Sequence, residues 1–160
     1  MELHNTKIDI SKAKREKLVT ILNQSLADAM DLKSQAKQAH WNVKGPNFIA
    51  LHELFDQVAT ELEAHVDEIA ERVTTLGGTA MGTVRIAAEQ SALSQYPLEI
   101  TDGTAHVDAL SSALADFGKR VRKNIDETDE LGDADTADLY TGISKAIDKL
   151  LWFVEAHNQA

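Results

Sequence analysis

Four long stretches of this chain repeat their apolar residues at helical spacing, and its two prolines, Pro46 and Pro97, both fall between those stretches. From Ser11 to His40 the apolar positions are Leu18, Leu22, Leu26, Ala29, Ala36 and Ala39. The second stretch runs Leu51, Phe55, Val58, Leu62, Val66, Ile69, Val73 and Leu76, and stops at Gly77-Gly78, a helix-ending signal. The third is entered through Thr101-Asp102 and gives Val107, Leu110, Leu114, Phe117, Val121 and Ile125. The fourth, with Asp135 expected as its N-cap, gives Leu139, Ile143, Ala146, Leu150, Phe153 and His157. None of the four shows the alternation of a strand.

The connections are uneven. They are short around Gly45-Pro46 and Gly132 but long from Gly77 to Ile100. Four long helices with one long middle crossover describe an all-α, ferritin-like four-helix bundle rather than a simple up-down-up-down bundle. Residues Ala87 to Gln95 are expected to form a short extra helix inside the crossover. The expected domain is 11–160, preceded by a short tail over 1–10.

The bulk numbers suit a single globular domain that folds without staples. The absence of cysteine excludes disulfides, zinc ribbons and thiol catalysis, and leaves His, Asp and Glu as the strong metal ligands. A formal charge of −10 repels phosphate backbones and attracts cations. No apolar run approaches the roughly 20 residues that span a bilayer, and no apolar signal segment opens the chain. The expected location is cytoplasmic, without membrane association, and nucleoid-associated only if DNA is bound.

A ferritin-like bundle often carries a di-iron site in its core, written as Glu-x-x-His on two helices. No glutamate in this chain has a histidine three residues later, so that core site is not encoded. The second helix instead carries a polar row of His52, Asp56, Glu63, Asp67 and Glu71. With Asp56 at zero and about 100° per residue, the other four fall at about −40°, −20°, +20° and +60°. The apolar stripe centres roughly 130° away, so the row lies on the flank of the helix, where another subunit could pack.

His52 and Asp56 are one turn apart, as are Asp67 and Glu71. The eleven residues between the two pairs rise roughly 16 Å, far beyond the reach of metal–ligand bonds of about 2 Å. If all four serve one site, the pairs come from different copies of the chain, as an antiparallel two-fold contact would arrange. His40 can return beside His52 through the short Asn42–Asn47 loop. A solvated acidic flank is the competing explanation for the whole row. His65 lies on the opposite side and is expected at the surface. His4 and His106 have no ligand-like setting, and His157 is expected to be packed in the core.

The stretch HWNVKGPNFIALHELFD followed by DEIAERV, with the spacing His-x11-His-x3-Asp-x10-Asp-x3-Glu, resembles the paired signatures of Dps proteins, the ferritin-like mini-ferritins. The likeness runs from about residue 11 to residue 157. It implies a hollow dodecamer with ferroxidase centres between two-fold-related subunits: His40, His52 and Asp56 from one, Asp67 and Glu71 from its neighbour. Trp41 would lie beside the centre, contacting it or quenching radicals, with simple interface packing as the alternative. The implied function is a ferroxidase and iron store that oxidises Fe(II) to Fe(III), preferably with hydrogen peroxide and otherwise with oxygen, and so limits oxidative damage. Zinc and other divalent metals can take the same ligands. Glu53 and Glu63 are weaker candidates for mineral nucleation.

The segment IDETDELGDADTAD carries seven acids and no basic residue from Asp126 to Asp138. Helix capping uses one or two of these, and the resemblance implies a cation funnel at three-fold pores for the rest. Asp126, Glu130, Asp135 and Asp138 are the candidate lining. The alternative function, a DNA-compacting protein with only a structural or vestigial metal site, needs a basic tail. Lys7 is the only Lys or Arg in the first ten residues, and Lys12, Lys14, Arg15 and Lys17 fall within the first helix, so DNA binding is expected to be weak or absent.

Overall fold

The first apolar stripe folds into a single long helix, α1 (Lys12–Asn42), and the second into α2 (Phe48–Thr75), which returns antiparallel along it. These elements belong to a computed structural model that describes residues 3–159. Leu18, Leu22, Leu26, Ala29, Ala36 and Ala39 are all buried, as the periodicity requires. The turn between α1 and α2 passes through Gly45, whose φ of 116° suits glycine. At the far end α2 stops where Gly77 takes a φ of 85°; a Cβ there would lie 2.6 Å from the His4 carbonyl oxygen. Gly77 is therefore fixed both by the turn and by the N-terminal segment lying against it.

The crossover climbs the full length of α1, held by side chains that the periodic pattern does not reveal. Asn23 takes the Thr79 carbonyl and the Met81 amide, and Gln24 donates to the Gln90 carbonyl. Buried Asp28 accepts from the Ala92 amide, Asp31 from the Ser91 hydroxyl, and Gln35 donates to the Ser94 carbonyl. Within the crossover lies α3 (Val84–Gln90), three residues earlier than the expected Ala87 start. Thr83 caps it by accepting from the Ile86 amide, and residues 91–95 leave the helix because α1 binds their backbone instead.

The second hairpin consists of α4 (Gly103–Glu130), entered through Thr101-Asp102 as expected with Asp102 as its cap, and α5 (Ala134–Glu155). The cap of α5 is Asp133, not Asp135: its carboxylate accepts from the Thr136 amide, while Asp135 lies inside the first turn. The buried stripe of α5 is Tyr140, Ile143, Ile147, Leu150 and Val154, with Leu139, Ala146 and Phe153 only half-buried. His157 is not in the core. The helix ends at Glu155, and His157 turns outward with its Nδ1 on the Phe153 carbonyl.

The order of the elements confirms an all-α bundle of two antiparallel hairpins joined by a long crossover with a short helix. Among the described residues there is no strand, and no helix is long and apolar enough to cross a membrane. Across the core, Ser25, Tyr140 and Asn124 form a hydrogen-bonded chain linking α1, α5 and α4. Burial pushes the Tyr140 phenol well above its ordinary range, so it remains neutral. The fold gathers the end of α1, the start of α2, the start of α4 and the end of α5 at one end of the bundle. There Lys44 donates to the Thr101 carbonyl at 2.9 Å and Asn158 to Asp108 at 2.8 Å.

Candidate metal centre

His40 is in the last turn of α1 and His52 in the second turn of α2, and the short glycine turn brings them face to face. Their rings stack with centroids 3.7 Å apart and planes 20° from parallel. Each Nδ1 bonds to the other residue's backbone carbonyl: His40 Nδ1 to the His52 oxygen at 2.7 Å, and His52 Nδ1 to the His40 oxygen at 2.8 Å. A carbonyl can only accept, so both rings carry a proton on Nδ1, and in the neutral tautomer this leaves Nε2 as the free acceptor. That is the tautomer a metal-binding imidazole needs, fixed by the backbone before any metal arrives.

Asp56 lies one turn after His52. Its Oδ1 accepts from Lys37 Nζ at 2.5 Å. The Lys37 ammonium holds the Asp56 carboxyl below the usual carboxylate range, and the two imidazoles act in the same direction. Asp67 and Glu71 are exposed further along the same helix. Because α2 is unbroken from Phe48 to Thr75, their separation from Asp56 persists in the fold. Among the described residues, no three His, Asp or Glu side chains of one chain gather closely enough to hold a metal. One chain thus offers a paired-imidazole site with a nearby carboxylate, and a separate carboxylate pair about three to four turns away.

Asp67 instead lines a groove of about 590 Å³ between α1, α2 and α3, together with Lys37, Trp41, Glu63 and Val84. Trp41, 65% exposed, and Val84, 79% exposed, give this charged groove an unusual apolar display. Glu63 is committed to an ion pair with Lys33, so it is less free for mineral than its sequence position implies. Glu53 is exposed.

The acidic segment divides in two. Asp133 is buried and bonded through both oxygens to Arg72, at 2.8 and 3.0 Å, and to Thr136. Burial alone would raise its carboxyl; the Thr136 and Arg72 contacts outweigh this and hold it below the usual range. By contrast Asp126, Glu130, Asp135 and Asp138 are all exposed.

Two residues were missed by pattern reading. Arg15, grouped with the basic residues of the first helix, is buried and donates to the Leu76 carbonyl at 2.8 Å, closing the end of α2. His106 is 1% exposed, with Nδ1 on the Tyr96 hydroxyl at 2.7 Å and Nε2 without a partner. Its signal was weak: it sits one position before Val107 on the apolar stripe. His65 is half-buried against Glu68 at 3.0 Å.

Comparison with known proteins places this geometry in a family. A ferritin-like domain model of the Ferritin family matches residues 19–160. The DNA protection during starvation protein of Agrobacterium fabrum is 46% identical over 159 residues, covering 99% of this chain and 98% of its own. That of Mycolicibacterium smegmatis is 32% identical over 148 residues, covering 92% and 80%. The solved structure of Mycobacterium smegmatis Dps in a tetragonal form superposes with a TM-score of 0.94 at 31% identity, covering 99% and 96% of the two chains. Fold and relatives agree that the chain belongs to the Dps family of ferritin-like proteins.

Proposed function

We propose that the protein is a ferroxidase and iron store whose catalytic centres form between two copies of the chain. His40, His52 and Asp56 of one copy bind Fe(II) together with Asp67 and Glu71 of its two-fold neighbour, and Trp41 packs beside them. Twelve copies enclose a cavity in which the ferric product is kept, with peroxide as the preferred oxidant and oxygen as the substitute. The observation that carries this reading is the reciprocal bonding of His40 and His52, which leaves two ligand nitrogens ready on one chain without completing a site there.

The donor set suits the chemistry. Imidazole and carboxylate bind Fe(II) with open positions for an oxidant, and carboxylates stabilise the Fe(III) product, which hydrolyses to mineral. In each turnover Fe(II) gives up one electron, and peroxide takes two from a pair of irons, so no free hydroxyl radical is released. Asp126, Glu130, Asp135 and Asp138, exposed on one acidic segment, would attract the incoming cations. The same ligands would bind Zn(II), without redox chemistry.

The relatives are named for DNA protection. For this chain, protection through removal of Fe(II) and peroxide fits better than coating. Lys7 is the only Lys or Arg before α1, Leu3 is buried, and the His4 amide is bonded to the Gly77 carbonyl at 2.8 Å. A mobility-shift titration against salt checks this, and tight binding without divalent ions would overturn it. The centre itself is tested by loading the protein with Fe(II) anaerobically and then adding peroxide or oxygen. His52→Ala and Asp67→Ala should each slow oxidation at least tenfold. Wild-type rates in both variants would sink the assignment.

A further inference from the structure

Lys37 occupies a place that the proposed metal centre does not explain. It is three residues before His40 and four before Trp41, so all three share one face of α1. Its ammonium sits on the carboxylate of Asp56, a proposed ligand, and also lies 5.6 Å from the centre of the Trp41 ring. One rung along, Lys33 pairs with Glu63 in the same way. The seam between α1 and α2 is thus a ladder in which lysines from the first helix neutralise carboxylates from the second.

We propose that Lys37 is a resident counter-cation of the metal half-site, displaced by metal onto the indole of Trp41, and that it selects for metals that bind imidazole. Without metal, the ammonium keeps Asp56 paired and the half-site free of excess negative charge. A divalent ion bound to Asp56 and a neighbouring imidazole meets this fixed positive charge at close range, so the ammonium must leave. The Trp41 face is within reach of the same side chain and stabilises a cation there. Displacement has a cost, and only a metal that gains bonds to the Nε2 atoms of His40 and His52 recovers it. Mg(II) and Ca(II), which prefer oxygen ligands, gain little from imidazole. Lys37 would then keep these abundant ions off Asp56 while admitting Fe(II), Zn(II) or Co(II).

This inference rests on the metal-centre reading, and the test separates the two. Zn(II), which has no redox chemistry, is titrated into the assembled protein by calorimetry, with and without excess Mg(II). A Trp152→Phe background leaves Trp41 as the sole tryptophan, so its emission reports on the ammonium. Lys37→Met should bind Zn(II) about tenfold more tightly than the parent, and excess Mg(II) should now compete. Lys37→Arg, which keeps the charge and can stack on indole, should stay near the parent. Zn(II) should shift Trp41 emission in the parent and not in Lys37→Met. If Lys37→Met binds Zn(II) no more tightly, the counter-cation role is overturned. If affinity rises but the emission shift persists, the transfer to Trp41 is overturned. If Zn(II) binding is indifferent to His52→Ala and Asp67→Ala, the metal-centre reading itself fails.

Discussion

His40 and His52 lock each other through their backbones, each ring donating from Nδ1 to the other's carbonyl across the α1–α2 turn. Rotating either imidazole would break its own carbonyl bond and the stacking of the two rings, so the two rings hold each other in place. The carboxylates at Asp67 and Glu71 belong to a different stretch of helix, and this division has a consequence for assembly.

If each centre draws on two copies, two inactive variants should complement each other. A His52→Ala chain still supplies Asp67, and an Asp67→Ala chain still supplies the imidazoles. In a mixed two-fold dimer one site is doubly broken and the other intact. Random co-assembly of equal amounts makes about half the dimers mixed, so about a quarter of the sites recover. The measurement is iron oxidation after co-refolding, compared with the same variants refolded apart and then mixed. No recovery would mean that the two residues serve one chain's site.

Much of this arrangement was legible in the sequence because the strongest signals are periodic. The buried stripes of α1 and α2, the long crossover, the entry to α4 through Thr101-Asp102 and the approach of His40 to His52 all follow from spacing and local breaks. The errors came where one polar contact decides the outcome. Asp133 rather than Asp135 caps α5 because Arg72, 61 positions earlier in the chain, pairs with it there. Residues 91–95 leave the extra helix because Asp28, Asp31 and Gln35 of α1 bind them. His157 falls outside the core because α5 ends two residues before it. Arg15 is a basic residue by composition, yet its guanidinium is spent on carbonyls. Such long-range pairings leave no periodic trace.

The Arg72–Asp133 pair should be a main stabilising contact between α2 and the start of α5. Asp133→Asn keeps the cap but leaves the half-buried Arg72 guanidinium with a neutral partner, at an expected cost of about 2–3 kcal/mol near pH 7. The folded-state pKa of Asp133 is depressed below 3.8, so the wild-type advantage is complete above the unfolded value. It is lost as pH falls through the folded value. The gap in urea midpoint between wild type and Asp133→Asn should therefore be full at pH 7 and begin to narrow once pH falls below the unfolded value of 3.8, and a gap that stays constant would count against the pair as its source.

His106 should make the fold sensitive to mild acid. Burial lowers its pKa below 6.5, outweighing the Asp102 carboxylate and the carbonyls of Asn42 and Ile100 nearby. The unfolded chain then takes up a proton before the folded one. Stability is full above about pH 6.5 and declines as pH falls toward the folded value. His106→Asn should retain a polar contact to Tyr96, lose about 1–2 kcal/mol at pH 7.5 through poorer packing, and show a flatter decline to pH 5.5. The two proteins differ only at position 106, so the difference in slope isolates His106. Equal slopes would remove it as the sensor.

Arg15 ties the N-terminal segment to the bundle. Its guanidinium donates to the Leu76 carbonyl at 2.8 Å and the Ile10 carbonyl at 3.2 Å, beside the His4–Gly77 bond. Arg15→Ala should cost about 1.5–3 kcal/mol, because a charged donor is lost and the Leu76 oxygen stays buried. The His4 amide should exchange with solvent at least tenfold faster, with Arg15→Lys intermediate. Freeing this segment should still not create DNA binding at physiological salt, since it carries only Lys7 against a chain of net charge −10. A mobility shift gained by Arg15→Ala would show that docking of the segment, and not its charge, is what keeps DNA away.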